Sequence, residues 1–264
     1  MVDALLGKKM GMTAIYDESG RLVPVTVIQL GPCKVVQVKK TEAQMGQLPA
    51  EAEDDAGKVG VVQKADGYCA LQLGFEDRKP KNVKKPVLGH YGKAGIEPKR
   101  FLREVGWDGE DELEPGAVLT AEQFVDERRV DVLGVTKGRG FQGVVKRYGF
   151  AGGPKTHGQG DRHRAPGSIG QSASPSRVLK GTRMPGRMGG VRHTTRNLRV
   201  VRVDPERDAI LVRGAVPGPR SGYVIVRRAS SDAERAAVKE AREAALKEKE
   251  KAEKAEAEKQ KAKE

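Results

Sequence analysis

Cysteine is scarce, with Cys33 and Cys69 the only two in 264 residues. They form no Cys-x-x-Cys pair, and two thiols in a chain of this size do not build a disulfide framework, which points to a reducing compartment. Long apolar runs are missing too. No stretch of eighteen apolar residues occurs, which excludes a membrane-spanning helix. The opening Met-Val-Asp-Ala-Leu-Leu-Gly-Lys-Lys carries too short an apolar run for a signal peptide, so cytoplasmic residence is the expectation. The pattern Gly-x-x-x-x-Gly-Lys-[Ser/Thr] is absent, which removes the usual route to nucleotide hydrolysis. The most informative shortage is local: residues 137–199 contain one acidic group, Asp161.

Against that single acid stand 14 lysines and arginines. Residues 1–136 carry 19 basic and 22 acidic groups, residues 200–228 carry 6 and 3, and residues 229–264 carry 10 and 10. One stretch therefore supplies a net +13, equal to the net charge of the whole chain, whose pI is near 9.7. Charge of one sign concentrated in this way is the footprint of a phosphate-bearing partner. An apolar content of 37% is enough to fill a core of modest size elsewhere.

That core is expected in β structure. Short strand-like runs, most of them β-branched, recur at 22–30, 34–39, 68–75, 130–135, 198–203, 209–212 and 223–226, with turn residues such as Gly31-Pro32 and Asp204-Pro205-Glu206-Arg207 between them. The pattern predicts a mostly β protein built as an antiparallel barrel or sandwich. Residues 43–67 are acidic, small and aperiodic, and read as a surface insertion. Residues 78–103 read as a loop-rich basic stretch, a second candidate RNA contact. Between Thr136 and Asn197 the alternation fades, and 14 of the 33 glycines crowd in with Pro154, Pro166, Pro175 and Pro185. This is a long excursion that orders on a partner, since it has no core of its own. The predicted organisation is a β domain over 1–135 and 198–228, the extended loop 136–197, and an Ala/Glu/Lys tail over 229–264, helical or disordered.

The excursion opens on Gly138-Arg-Gly140-Phe-Gln-Gly143, a literal match to the dinucleotide fingerprint. That reading requires a following helix of about a dozen residues and a second strand, and the chain instead turns to Lys-Arg-Tyr-Gly and Ala-Gly-Gly-Pro. The preferred reading is RNA: glycines permit close backbone approach, Lys137, Arg139, Lys146 and Arg147 neutralise phosphates, and Phe141 or Tyr148 packs on the barrel or a base. His157, His163 and His193 lie in an arginine field without cysteine or i, i+4 spacing, a poor metal set; with Lys155 they join the candidate RNA contacts. Arg162, His163 and Arg164 are followed by Arg177, Lys180, Arg183, Arg187, Arg192 and Arg196 at short intervals. Arginine's planar fork suits bidentate phosphate contact and stacking on bases. Ser168, Ser172, Ser174 and Ser176 lack the elbow of a hydrolase. Two competing classes are weaker: an RNA-modifying or RNA-cleaving enzyme using His157, Asp161 and His163 for acid–base work, and a DNA-compacting protein, which would favour lysine repeats or a groove-reading helix. No catalytic residue, metal, cofactor, membrane or small-molecule substrate is expected.

The residues Phe124 through Arg147, read as Phe-Val-Asp-Glu-Arg-Arg-Val-Asp-Val-Leu-Gly-Val-Thr-Lys-Gly-Arg-Gly-Phe-Gln-Gly-Val-Val-Lys-Arg, resemble the signature of the universal large-subunit ribosomal protein three family in its bacterial form. Leu6–Thr13, Lys81–Pro86, Gly89–Gly95, Thr156-His-Gly, Pro166–Gln171 and Val203–Arg207 are similar to the same family, which the chain resembles over about 1–228. The resemblance implies a β-barrel related to translation-factor barrels on the subunit surface, with the loop threading into 23S rRNA toward the peptidyl transferase centre. It implies a structural constituent of the large ribosomal subunit acting early in assembly, beside ribosomal proteins of the L14 and L19 types. It puts Arg164–Ser174 at the loop's deep end, with Gln171 matching a glutamine that some members carry methylated. The 43–67 insertion and the tail after Ser231 lie outside the shared pattern.

Overall fold

The computed structural model describes residues 2–17, 19–40, 66–109 and 113–229. The predicted tail and nearly all of the 43–67 insertion lie outside the described residues. Strands run β1 (Ala4–Tyr16), β2 (Leu22–Leu30), β3 (Cys33–Lys39), β4 (Ala70–Asp77), β5 (Lys99–Gly106), β6 (Val118–Leu119), β7 (Arg129–Val135), β8 (Phe141–Gln142), β9 (Gly186–Arg187), β10 (Arg192–Asp204), β11 (Ala209–Arg213) and β12 (Tyr223–Arg228), with short helices α1 (Lys85–Lys93) and α2 (Val144–Tyr148). The protein is mostly β, as its alternating runs predict.

Six strands hydrogen-bond in a closed antiparallel ring, β1-β12-β7-β10-β11-β2. The other β runs do not join it. Gly31-Pro32 redirects the chain after β2, and β5-β4-β3-β6 make a separate four-stranded sheet. The two sheets share one apolar core in which Leu5, Ile28, Val130, Val132 and Ile210 of the ring meet Val35, Leu71 and Leu73 of the second sheet, with Phe124 between strands. Each such fully buried aliphatic or aromatic side chain contributes about 1.5–3 kcal/mol of transfer free energy. β7 is covered on both faces because Val130 and Val132 enter the core while Asp131 and Leu133 are also buried.

Side chains tie the sheets where they meet. The Tyr223 ring stacks on Phe101 with centroids 4.8 Å apart and meets Phe75 edge-on. Its hydroxyl donates to Glu76, which Lys8 Nζ also approaches at 3.1 Å. These hydrogen bonds, Tyr223 first, hold the Glu76 carboxyl below the usual carboxylate range, so it stays ionised near neutrality. Cys33 is fully buried and donates to Leu6 O at 3.3 Å. Burial pushes its thiol up to about 12, so it is an inert packing group and not a nucleophile.

Two segments are more ordered than their sequence suggests. Residues 78–103, expected to be loop-rich, contain α1 with a proline in its first turn, followed by edge strand β5. The excursion itself holds paired backbone, which positions its cations.

Candidate nucleic-acid interface

β7 leaves the ring at Val135 and β10 re-enters opposite it at Arg192. The two limbs stay paired beyond the ring. Thr136 N–H donates to Val191 O at 3.0 Å, Gly190 N–H to Thr136 O at 3.1 Å, Arg139 N–H to Met188 O at 2.9 Å and Met188 N–H to Gly140 O at 2.9 Å, after which β8 pairs with β9. Gly189 lies at the closest approach: its φ is +72°, and a β-carbon there would lie 2.1 Å from Lys137 O. Any side chain would push the limbs apart. The sequence suggests that glycines bring the backbone close to RNA; here the backbone approached is the opposite limb.

α2 follows β8 and ends at Gly149 after five residues, too short for a dinucleotide-binding helix. Its Arg147 turns inward: the guanidinium donates to Met184 O at 2.9 Å on the returning limb and lies 5.0 Å from the Tyr148 ring. Arg183 approaches the same ring at 5.7 Å. Arg147 is half-buried and braces the limbs, unlike its neighbours Lys137, Arg139 and Lys146, which are exposed. Phe141 is 77% exposed, so it packs on no part of the ring.

The remaining candidates spread along the surface. Lys155, His157, Arg162, His163 and Arg164 are exposed on the far part of the loop, as are Gln171, Arg177 and Lys180. His163 Nδ1 lies 3.2 Å from Pro154 O, a backbone contact within the loop. Arg187 sits on β9 opposite Phe141, His193 on β10 opposite Gly134, and Arg196 beside a bulge in β10; all three are exposed.

Electrostatics separates this surface from the rest. Several acids of the body have basic partners, as in Lys39–Glu104 at 2.9 Å, Lys8–Glu76 at 3.1 Å and Arg228–Glu127 at 3.3 Å. Among the described residues, none of the sixteen candidate cations and histidines has an acidic partner within 4.0 Å. At the loop's root, Lys9 donates to Val216 O at 2.7 Å and Gly218 O at 3.1 Å, and burial together with the nearby Lys137 charge lowers its pKa. Positive charge is thus crowded from the ring outward and available to an anionic ligand.

The cations of 78–103 are displayed on regular structure where the sequence reads as loop. Arg78, Lys79, Lys81, Lys84, Lys85, Lys93, Arg100 and Arg103 are exposed on or beside α1 and β5. The Lys-Pro pair opening α1 was the available signal, since proline in the first helical turn marks a helix start.

A closed strand ring that projects a paired, cation-lined excursion defines a β protein with an extended cationic arm. Comparison makes the class specific. The sequence profile of the family described as Ribosomal protein L3 matches residues 103–209, from β5 through the excursion to the start of β11. Large ribosomal subunit protein uL3 of Chlorobaculum parvum is 52% identical over 222 residues, covering 84% of this chain and 96% of its own. The proteins of that name from Acidothermus cellulolyticus and Herpetosiphon aurantiacus are each 46% identical, covering 87% and 89% of this chain and 93% and 100% of their own. The chain belongs to the ribosomal protein L3 family, whose members are structural ribosomal proteins and not enzymes.

Proposed function

We propose that this chain is a structural constituent of the large ribosomal subunit that binds 23S rRNA directly through the excursion 136–197. The observation that carries the reading is the row of exposed cations without acidic partners on a paired backbone. Phosphate contacts supply counter-charge and release condensed counterions, and that release drives much of the affinity of basic proteins for nucleic acid. The domain division follows the same logic, with 1–135 and 198–228 as the body on the subunit surface and 229–264 as an appendage.

The family further supports a barrel of the translation-factor kind, a loop directed toward the peptidyl transferase centre, and a role early in subunit assembly. Neighbouring proteins of the L14 and L19 types and a methylated Gln171 stand on the same footing. The exposed cations of 78–103 favour a second rRNA contact on the body. A DNA-compacting role finds less support, because α2 is too short to read a groove.

The test is sedimentation of tagged full-length protein from cell lysate at moderate salt, with sequencing of the RNA that travels with it. Co-migration with large subunits and enrichment of large-subunit rRNA are expected. Protein left at the top of the gradient without rRNA would remove the reading.

A further inference from the structure

Charge does not account for the shape of the loop's far end. Between Phe150 and Gly167 the chain folds back on itself, with Gly153 N–H donating to His163 O at 3.2 Å. Gly152, at φ +77°, lies against the same carbonyl, and a β-carbon there would meet His163 O at 2.2 Å. The fold-back forms a cleft of about 490 Å³ lined by Phe150, Gly152, Gly153, Gln159, Arg162 and Pro166 among others. That volume falls within the ~300–1,000 Å³ usual for small-ligand clefts.

The lining selects a chemistry. It contains no carboxylate, so nothing in it attracts a cation. It combines an aromatic ring, bare glycine backbone, a carboxamide and a guanidinium. Phe150 is half-buried, and its ring lies 6.2 Å from Tyr148 in a tilted arrangement. Gln159 is half-buried and Arg162 exposed. A flat π-face, an edge of donors and acceptors and an adjoining anion are the three features of a nucleotide in a single-stranded segment.

We propose that this cleft holds one unstacked nucleobase of the large-subunit rRNA, an inference that rests on the rRNA-binding reading above. Phe150 stacks on the base, the Gln159 carboxamide hydrogen-bonds its edge, and Arg162 holds the neighbouring phosphate. The loop then contributes base-level recognition at one point along an otherwise sequence-blind electrostatic contact.

The experiment titrates full-length protein onto transcribed 23S rRNA across a salt series and maps base reactivity with dimethyl sulfate. Phe150→Leu removes the stack and keeps an apolar group in the cleft; Phe150→Tyr keeps the stack. Leucine is expected to raise Kd about tenfold with no change in the salt slope and to restore reactivity at a base that the native chain protects. Tyrosine should retain both affinity and protection, and Gln159→Ala should expose the same base without touching Phe150. Native affinity and an unchanged footprint for Phe150→Leu would overturn the proposal, as would a loss that alters the salt slope and no single base. If the native chain itself does not bind the rRNA, the underlying reading fails first, visibly in the native titration.

Discussion

Replacing Arg183, Arg187 and Arg192 together by alanine is expected to weaken binding to large-subunit rRNA and to flatten its salt dependence. Each phosphate contact contributes close to one unit of slope in log K against log salt, so the triple variant should lose roughly 2–3 units. All three side chains are exposed on the returning limb. Arg187 is held on β9 and Arg192 at the mouth of the ring, each opposite an apolar residue of the outgoing limb and without an acidic partner. Arg183 also lies over Tyr148, so its loss affects the loop's bracing as well as its charge. Arg147 provides the contrast, since its guanidinium closes on Met184 O. Measurement of Kd from low to moderate salt for native and triple variant checks this, and parallel lines would show that these arginines do not meet phosphate.

The second large effect is expected at Asp131, a buried residue that supports the excursion from within the ring and is not itself a proposed RNA contact. Its carboxylate is 2% exposed on β7, accepts Asn197 N–H at 2.7 Å and lies 3.5 Å from Arg227 Nη2. Asn197 sits at φ +59° in the irregularity where β10 shifts register between Thr195 and Leu198. The carboxylate thus anchors the bulge through which the excursion rejoins the ring. Asp131→Ala leaves the Asn197 amide and the partly exposed Arg227 guanidinium without their acceptor and is expected to destabilise the protein by about 2 kcal/mol. Asp131→Asn keeps an acceptor for the amide and should lose less. Urea denaturation of the three proteins decides the matter, and an alanine variant with the native midpoint would show that the bulge does not depend on this group.

The strands that were legible share a cause. β2, β3, β7, β11, β12 and the part of β10 from Leu198 onward contain β-branched alternation dense enough to be seen without knowing their partners, and β4 shows apolar alternation without β-branching. The first part of β10, Arg192–Asn197, reads as loop and becomes strand by pairing with β7. β1 was not legible: its Leu-Gly-Lys-Lys-Met-Gly-Met core is broken by glycine and lysine, and it becomes a strand because β12 and β2 pair with it from both sides. β5 is a charged edge strand whose pairing with β4 is equally non-local. The sorting of strands into a ring and a second sheet depends on such long-range pairing, which periodicity does not encode. At the candidate interface the charge was legible because composition alone locates it. Which arginine turns outward and which, like Arg147, binds the chain's own carbonyl depends on limb pairing through Gly189 and Met188. The cleft under Phe150 exists only once residues 150–167 fold back.

The central claim is that the excursion meets rRNA, and the most direct test is ultraviolet crosslinking of purified large subunits followed by mass spectrometry of this chain's peptides. Crosslinked nucleotides should concentrate in peptides between Val135 and Arg199, with a smaller set from 78–103. Crosslinks confined to other parts of the chain, with the excursion's peptides recovered unmodified, would contradict it.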